Sequence, residues 1–347
     1  MKVLMKGNEA LAEAAIRAGC KCYFGYPITP QNEVGAYMSE KIAESGGVFL
    51  QAESEIGAIN MIYGCAATGT RCMTSSSSPG VSLKTEGISY IAGADLPCVI
   101  VNIQRGGPGL GTIQPSQADY FQSTRALGHG DIRVPVLAPY SVQEMVDMTS
   151  YAFDLGEKFR TPVMILADGL LGQMMEPVEF KDVNKTSGVD SSSWHANGHE
   201  GKRPPNVVNS LYLYPEELEA AVNERFTRLS AVESLSESTN CDDAEVVITA
   251  YGSCARVIHS AMEMARAEGI KAGTFRPITV SPFPAEQIRK ACANAKKVLV
   301  VEMSMGQMVE DVRLAFAGQG LPVEFFGRQG GFVPGPTEIL EAVRRLV

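Results

Sequence analysis

Side chains able to bind or activate a small molecule are concentrated in three short loops, each following an apolar run. The loops are Tyr26–Pro30, Glu53–Glu55 and Gln104–Gly111. They offer a hydroxyl group, carboxylates and a guanidinium beside glycines that let a ligand approach the backbone. Ligands of open parallel sheets bind at the carboxyl ends of the strands, where such loops converge. The sequence therefore predicts one ligand site built from these three loops.

The elements that must position these loops are clearest around Glu55. Val48–Leu50 is an apolar run that predicts a strand. Ser54 can cap a helix that starts at Glu55, and Gly69 can end that helix. A carboxylate at a helix N-terminus is also explained by the helix dipole alone, so Glu55 by itself does not identify a site. The residues predicted to face the core from this helix are Ile56, Ile59, Ile62 or Tyr63, and Ala66.

The pattern that follows predicts further alternation of strands and helices. Arg71–Thr74 is predicted as a strand and Ser75–Gly80 as a loop. Val81–Ala92 has helical spacing, and the residues predicted to face its core are Leu83, Gly87, Ile88 and Ile91. Pro97–Asn102 and Pro162–Ala167 are continuously apolar, which is typical of parallel strands buried on both faces. The fold class predicted from this pattern is a doubly wound α/β domain.

The chain divides into three segments of different composition. Residues 1–175 form the first α/β domain, and residues 244–347 form a smaller one in which the alternation returns. Residues 176–243 begin as a polar, Ser/Gly-rich stretch with the only tryptophan, Trp194. We expect that stretch to be a long loop outside the core. A charged connector helix over Pro215–Glu233 follows it.

No residue pattern predicts a metal site. His195 and His199 have the i,i+4 spacing of a metal pair on a helix, but Gly198 and the polar neighbours favour a solvated loop. Cys20 and Cys22 are the only close pair among eight cysteines, and no pair has C-x-x-C spacing. Reduced core thiols are therefore favoured over an iron–sulfur cluster.

Composition excludes several functional classes. The net charge of −9 argues against a nucleic-acid partner. No apolar run approaches the roughly 20 residues of a membrane span, and the N-terminus lacks the apolar core of a signal peptide. We expect a cytoplasmic protein. The glycines of Gln104–Gly111 do not match the Rossmann fingerprint, and no phosphate-binding G-x-x-x-x-G-K-[ST] loop occurs.

Four separated motifs resemble one family over nearly the whole chain. The first domain contains GNEALAEAAIRAG…FGYPITP, ESEIGAINMIYGCAATGTRCMTSSSSPG and VNIQRGGPGLG, and the second contains FRPITVSPFP. In this order they resemble the α subunit of 2-oxoacid:ferredoxin oxidoreductases. The segment GPGLGTIQPSQADYFQ looks most like the branched-chain (2-oxoisovalerate, or 3-methyl-2-oxobutanoate) type and lacks the GGPSTGLP of 2-oxoglutarate-type subunits.

This resemblance implies a thiamine diphosphate pyrimidine-binding domain followed by a transketolase C-terminal-like domain. In the family a glutamate hydrogen-bonds ring nitrogen N1′ of the cofactor. The matching position is Glu55, because it directly precedes the small residues that open the helix. Glu53 would lie on the same side of a strand end and is the alternative. A helix N-terminus helps to hold a partly buried carboxylate ionised, which agrees with Glu55.

The resemblance assigns three further roles in the site. Pro27 and Ile28 would contact the cofactor, and Thr29 would touch cofactor or substrate. Arg105 would pair with the 2-oxoacid carboxylate, which suits a guanidinium. Taken without the family, Thr29 is equally explained as a turn hydroxyl and Arg105 as a surface salt bridge. Leu110 and Ile113 are candidates to line a branched-chain pocket.

The chain carries only part of the machinery that this chemistry needs. It has no G-D-G motif followed by asparagines for the diphosphate and Mg²⁺, since Asp168-Gly169 follows an alanine. By the family pattern these groups lie on a thiamine-diphosphate-binding β subunit, and iron–sulfur clusters on a ferredoxin-like δ subunit, with a γ subunit completing the complex. The small residues of Gly57–Ala67 predict a subunit interface, and FRPITVSPFP predicts contact between domains or subunits.

The predicted function is CoA-dependent oxidative decarboxylation of a branched-chain 2-oxoacid to acyl-CoA and carbon dioxide, with reduction of ferredoxin. 2-Oxoglutarate or an aryl 2-oxoacid is the alternative substrate. A non-catalytic scaffold subunit is the alternative from a different class, although the retention of Thr29, Glu55 and Arg105 argues against it. A transketolase-type enzyme is disfavoured because the diphosphate-binding half is missing.

Overall fold

A computed structural model describes residues 2–183 and 188–347 of the chain. The strands of the first part are β1 (Val3–Lys6), β2 (Cys22–Gly25), β3 (Val48–Gln51), β4 (Cys72–Ser76), β5 (Cys98–Gln104), β6 (Val136–Leu137), β7 (Pro162–Asp168) and β8 (Met175–Val178). Its helices are α1 (Gly7–Arg17), α2 (Asn32–Lys41), α3 (Glu55–Ala67), α4 (Ser78–Gly93), α5 (Tyr120–Arg125), α6 (Val142–Phe159) and α7 (Gly169–Gln173). A short 3₁₀ turn, Ile42–Ser45, follows α2.

The second part of the chain begins with a helix and then alternates. Its strands are β9 (Ser236–Thr239), β10 (Val246–Thr249), β11 (Ala272–Pro277), β12 (Thr279–Ser281), β13 (Lys297–Glu302) and β14 (Val323–Gly327). Its helices are α8 (Pro215–Ser230), α9 (Gly252–Ala267), α10 (Ala285–Ala291), α11 (Met308–Ala315) and α12 (Pro336–Arg344).

A seven-stranded sheet with the order β12-β6-β7-β5-β4-β2-β3 forms the first domain. All of its strands are parallel except β12, which runs antiparallel to β6. Every residue of β5 and β7 is buried, because helices cover both faces of the sheet. The predicted doubly wound α/β fold is therefore confirmed.

The smaller sheet has the order β14-β13-β10-β11-β9, and only β9 at its edge is antiparallel. β8 pairs with the N-terminal β1, so the first domain's pairing reaches Val178. β9 already belongs to the second sheet, although it lies before residue 244. The predicted division at 175 falls at the first residue of β8, and the one at 243 falls between β9 and β10. The division itself stays a prediction.

The segment after β11 joins the two domains. Ala272–Pro277 lies in the smaller sheet, whereas Thr279–Ser281, directly after it, pairs with β6 of the larger sheet. Arg276 reinforces the junction, since its guanidinium donates two 2.8 Å hydrogen bonds to the Glu144 carboxylate of α6. The predicted contact role of FRPITVSPFP is thus confirmed for contact between domains.

The polar excursion packs against the first domain more closely than predicted. Trp194 is only 8% exposed and belongs to the same apolar cluster as Ile59 and Ile62 of α3. The Ala196 N–H donates a 2.7 Å hydrogen bond to the Ala67 carbonyl at the end of α3. The expectation that this stretch stays outside the core is therefore wrong for Trp194, because its side chain packs in the apolar cluster that includes residues of α3.

The described residues also give information on metal-ligand clusters and on helices able to cross a membrane. Within residues 2–183 and 188–347, no cluster of three or more His, Cys, Asp or Glu side chains is arranged to hold a metal ion. His195 and His199 lie in a loop and turn, as expected. No helix in the described part of the chain has the length and apolarity needed to cross a membrane.

Candidate active site

The first domain has a topological switch point at β2. From β2 the chain moves outward to β3 and then returns to the opposite side of β2 as β4. Loops that leave the carboxyl ends of strands at such a point diverge and open a crevice. Tyr26–Pro30 leaves β2, the serine run leaves β4, and Gln104–Gly111 leaves the neighbouring β5. The predicted convergence of loops is thus set by the strand order.

Glu55 is held at this crevice by the start of α3. The Ser54 side chain accepts a 3.1 Å hydrogen bond from the Gly57 N–H, which caps the helix and fixes Glu55 as its first residue. Glu55 is only 6% exposed. Its carboxylate lies against Gly80 of α4, where an added Cβ would stand 2.6 Å from Glu55 Oε1. Gly80 is therefore required for this close approach.

Glu53 has a different environment from Glu55. It is exposed, and its carboxylate lies beside Gly57, where an added Cβ would stand 2.4 Å from Glu53 Oε1. The alternation that would put both carboxylates on one side does not apply, because the strand has ended at Gln51 and α3 begins at Glu55. Of the two, Glu55 is the buried carboxylate, which suits it better to contact a bound ring.

The loop after β5 brings Arg105 to the loop after β2. Arg105 Nη1 donates a 2.8 Å hydrogen bond to the Thr29 carbonyl, and Nη2 donates one of 3.3 Å to the Leu110 carbonyl. Arg105 is 6% exposed, so it is not the surface salt bridge that its sequence also allowed. Its Nε is buried without a hydrogen-bond partner among the described residues. The guanidinium thus keeps a donor free for an anionic ligand.

Thr29 contributes its carbonyl to Arg105 and its hydroxyl to the next helix. Thr29 Oγ1 accepts a 3.2 Å hydrogen bond from Asn32 Nδ2 at the start of α2. The turn-hydroxyl interpretation is therefore partly right, although the side chain is only half-buried. Ile28 is also half-buried, and Pro27 is exposed at the rim of a cavity of about 280 Å³. The roles of all three toward a cofactor stay predictions.

A network of hydrogen-bonded polar side chains holds the backbone of Arg105 in place. The Arg105 N–H donates a 3.0 Å hydrogen bond to Ser78 Oγ, which donates one of 2.5 Å to the Asp119 carboxylate. Asn102 Nδ2 donates to the same carboxylate at 3.1 Å. Burial raises the pKa of Asp119 above its usual value, opposed by these hydrogen bonds and by Arg105. Sequence reasoning considered Ser78 only as part of a serine run that could approach the cofactor or form a plain loop, and it missed Asn102 and Asp119.

The serine run is not the loop that the sequence predicted. Ser75 and Ser76 end β4, and Ser78 opens α4 with Pro79 at its first turn. Proline tolerates the first turn of a helix because the N–H it lacks has no partner there anyway. The hydroxyls of Ser76 and Ser77 are buried and have no partner among the described residues. Both serines are completely buried where β4 gives way to α4.

Lys84 is a further buried residue near Glu55 that sequence reasoning did not find. It is completely buried on α4, and its Nζ donates a 2.6 Å hydrogen bond to Thr74 Oγ1 of β4. The predicted core residue Leu83 is instead 51% exposed, because the buried side of α4 runs through Lys84. Ile56 of α3 is likewise 53% exposed rather than in the core. The available signal was spacing: Lys84 stands four residues after Gly80 and four before Ile88.

The loop that carries Leu110 and Ile113, the candidate pocket residues, is exposed to solvent. Leu110 is 85% exposed and Ile113 58% exposed. They extend from the same loop as Arg105, whose isolated bridge to Pro115 closes the loop at its base. A pocket wall at these residues stays a prediction.

The residues present fit the pyrimidine end of thiamine diphosphate. A ring nitrogen needs a buried carboxylate, and Glu55 supplies one against a glycine that leaves room beside it. A bound ligand can satisfy the unpaired Ser76 and Ser77 hydroxyls and the Arg105 Nε.

The chain thus combines a mostly parallel sheet, with polar loops at its switch point, and a smaller α/β domain. The family model "pyruvate flavodoxin/ferredoxin oxidoreductase, thiamine diphosphate-binding" matches residues 13–233. The model "pyruvate:ferredoxin oxidoreductase core domain II" matches residues 244–339. The chain therefore belongs to the 2-oxoacid:ferredoxin oxidoreductase family, as its motifs predicted.

Relatives agree along the full length. The chain is 47% identical over 346 residues to the ketoisovalerate oxidoreductase subunit VorB of Methanothermobacter thermautotrophicus, covering 99% of this chain and 97% of that protein. It is 35% identical over 370 residues to the 2-oxoglutarate synthase subunit KorA of Methanothermobacter marburgensis, covering 98% and 97%. These relatives are themselves subunits of larger oxidoreductases.

Solved structures support the same architecture. The 2-oxoglutarate:ferredoxin oxidoreductase from Magnetococcus marinus, with 2-oxoglutarate, coenzyme A and succinyl-CoA bound, superposes with a TM-score of 0.88 at 27% identity. The match covers 99% of this chain and 65% of that one. A split-gene transketolase superposes with a TM-score of 0.61 at 14% identity, covering 98% of this chain and 97% of that one, which shows a shared fold.

Proposed function

We propose that this chain supplies the pyrimidine-side half of a thiamine diphosphate site in a 2-oxoacid:ferredoxin oxidoreductase. The observation that carries the proposal is the buried Glu55 carboxylate, held at a helix start against Gly80. When bound, thiamine diphosphate supplies the nucleophilic carbon that attacks the keto group and releases carbon dioxide. In this proposal Glu55 holds a proton shared with the pyrimidine ring, so that the ring reaches its proton-abstracting form. Pro27, Ile28 and Thr29 form the neighbouring wall.

The substrate that we propose is a branched-chain 2-oxoacid. Arg105 binds its carboxylate through the donors that face the crevice, since a guanidinium pairs well with a planar carboxylate. The Ser78–Asp119 network holds the Arg105 backbone in place for that contact. Identity to a subunit named for ketoisovalerate is higher than to subunits named for 2-oxoglutarate, which favours this class. Leu110 and Ile113 then pack against its apolar side chain.

The rest of the reaction requires partner subunits. We propose a β subunit that holds the diphosphate and Mg²⁺, a γ subunit, and a ferredoxin-like δ subunit whose iron–sulfur clusters take the electrons on to ferredoxin. Coenzyme A accepts the acyl group. Relatives described as subunits support such a complex. The eight cysteines are free, which favours the reducing cytoplasm as the location that we propose.

The substrate proposal is tested by dye reduction with the assembled native complex, coenzyme A and a panel of 2-oxoacids. We expect the highest kcat/KM with 2-oxoisovalerate. A preference for 2-oxoglutarate or an aryl 2-oxoacid would retain the chemistry and overturn the substrate. Absence of activity with every acid would favour the scaffold alternative.

The role of Glu55 is tested in the same complex with Glu55→Gln and its matched control Glu53→Gln. Removing the shared proton site should lower turnover by about 10³-fold, within the usual range for acid–base groups. Glu53→Gln should retain near-normal turnover, because that carboxylate is exposed. Gel filtration checks that both complexes assemble. Wild-type-like rates for Glu55→Gln would contradict the assignment.

A further inference from the structure

A completely buried lysine lies beside the proposed catalytic carboxylate, and the proposed chemistry does not use it. Lys84 is on α4, with its Nζ held 2.6 Å from Thr74 Oγ1. Gly80 lies one helical turn before it, so Gly80 and Lys84 share one face of α4. Thr74 is also fully buried in β4, which leaves the amine between the helix and the sheet.

The Glu55 carboxylate rests on that same face of α4. An added Cβ on Gly80 would stand 2.6 Å from Glu55 Oε1 and 3.2 Å from Glu55 Cγ. A glycine at residue 80 thus lets the first residue of α3 approach the helix that carries Lys84. Both charged groups are removed from water, and two opposite charges in such a place influence each other more strongly than on a surface.

The groups that face Lys84 come from three elements. Burial lowers the pKa of Lys84 to about 7, and Glu55 of α3 opposes that effect. The Cys98 thiol of β5 also faces it, but burial raises the pKa of Cys98 to about 12, so this thiol is neutral. Thr74 of β4 supplies an uncharged hydroxyl. Glu55 is therefore the charge to which Lys84 responds.

We propose that Lys84 is a positioning residue that electrostatically balances Glu55 across the face of α4. The Glu55 carboxylate favours the charged form of the buried Lys84 amine and opposes the effect of burial on it. Loss of the Glu55 charge should therefore make protonation of Lys84 less favourable. The consequence for catalysis rests on the proposed function of Glu55, but the coupling itself does not.

The coupling is tested on the full chain without cofactor. Lysine labelled with ¹³C at Cε is followed by NMR as a function of pH, and Lys84→Met identifies the Lys84 signal. In Glu55→Gln the midpoint of this signal should fall by roughly one pH unit, because an opposing charge is lost. In the matched control Glu53→Gln the midpoint should stay at the wild-type value. An unchanged midpoint in Glu55→Gln would overturn the inference, whatever the chain's function.

The catalytic consequence is tested in the assembled complex with Lys84→Met. Because the Lys84 amine titrates near pH 7 beside Glu55, replacing it should change the pH dependence of kcat/KM around that pH. Thr74→Ser keeps the hydroxyl that holds Lys84 and should retain the wild-type profile. A lower rate with an unmoved profile would reduce Lys84 to a packing role. If neither complex shows thiamine-dependent activity, the proposed function fails while the NMR result still decides the coupling.

Discussion

Each domain contains a buried glutamate where a strand gives way to a helix, and the surroundings of the two carboxylates differ. Glu302 ends β13, and its carboxylate accepts hydrogen bonds from the N–H groups of Gln307–Val309 and from the Ser304 hydroxyl. Burial raises the pKa of Glu302, and these donors oppose that rise. Glu55 starts α3, and its carboxylate lies directly against Gly80 of α4.

The difference separates a structural carboxylate from one available to a ligand. The Glu302 carboxylate accepts hydrogen bonds from N–H groups at the start of α11, so it stabilises a helix that has no other side-chain cap. The start of α3 is capped by Ser54 instead, which leaves the Glu55 carboxylate free of that task. Burial alone therefore does not mark a catalytic acid, whereas burial together with a separate cap points to one.

The largest expected effect is functional and confined to the first domain. Glu55→Gln should lower turnover by about 10³-fold or more yet leave the urea midpoint of the chain nearly unchanged, since Ser54 keeps the helix cap. Circular dichroism during urea titration, alongside dye reduction, measures both. A large loss of stability would place Glu55 with Glu302 among structural carboxylates.

The next effect is a pH-dependent stability due to Lys84. Its pKa lies at about 7 in the folded chain against an ordinary value of 10.5, so the unfolded chain binds the extra proton between these values. Stability should therefore rise with pH over that window, by at most about 5 kcal/mol in total. Urea midpoints at several pH values should rise more steeply for wild type than for Lys84→Met. The exposed Lys181→Met is the control, and equal slopes in both variants would contradict this expectation.

Glu302→Gln should give the opposite pattern to Glu55→Gln. Loss of charge-assisted acceptance from three N–H groups should lower the free energy of unfolding by about 2–3 kcal/mol. Substrate affinity should change little once the complex is assembled, because Glu302 lies in the second domain. Chemical denaturation and KM measurements test the two halves of this prediction. Stability equal to wild type would show that the amide replaces the carboxylate as a cap.

The smallest effect concerns the space beside Glu55. In Gly80→Ala the new Cβ would meet Ser76 Oγ at 2.2 Å and Glu55 Oε1 at 2.6 Å. Displacement of the carboxylate should lower turnover by roughly 10- to 100-fold. Gly93→Ala on the same helix is the matched control, because its added Cβ would meet only Ser210 Cβ at an ordinary 3.7 Å. Equal activities in the two variants would show that the approach to Gly80 is not needed.

The parts of the site that were predicted depend on local chemistry. Ser54 caps α3 through its own neighbouring backbone, so the start of that helix and the placement of Glu55 follow from adjacent residues. The family motifs then singled out Thr29 and Arg105, which the structure brings together through the Thr29 carbonyl. Their roles toward substrate remain predictions.

The parts that were missed depend on tertiary contacts. Lys84 is buried because α4 packs against both β4 and α3, and the residues next to it in sequence do not indicate this burial. Leu83 looked like the core residue on hydrophobicity alone, yet it faces outward. The serine run resembled a loop by composition, but β4 continues into it because the sheet pairs Ser75 and Ser76 with β5. Pairing partners override local propensity in such segments.

The crossing of the chain from β11 to β12 also bears on how the gene can be divided. A fragment ending at residue 243 would lack Thr279–Ser281, leaving the two-residue β6 as an uncovered sheet edge. A fragment beginning at residue 244 would lack β9 and carry a strand with no sheet to join. Neither half is therefore a transferable module. Fusions, fissions and circular permutations of this subunit should be tolerated only where they keep β6 and β12 side by side.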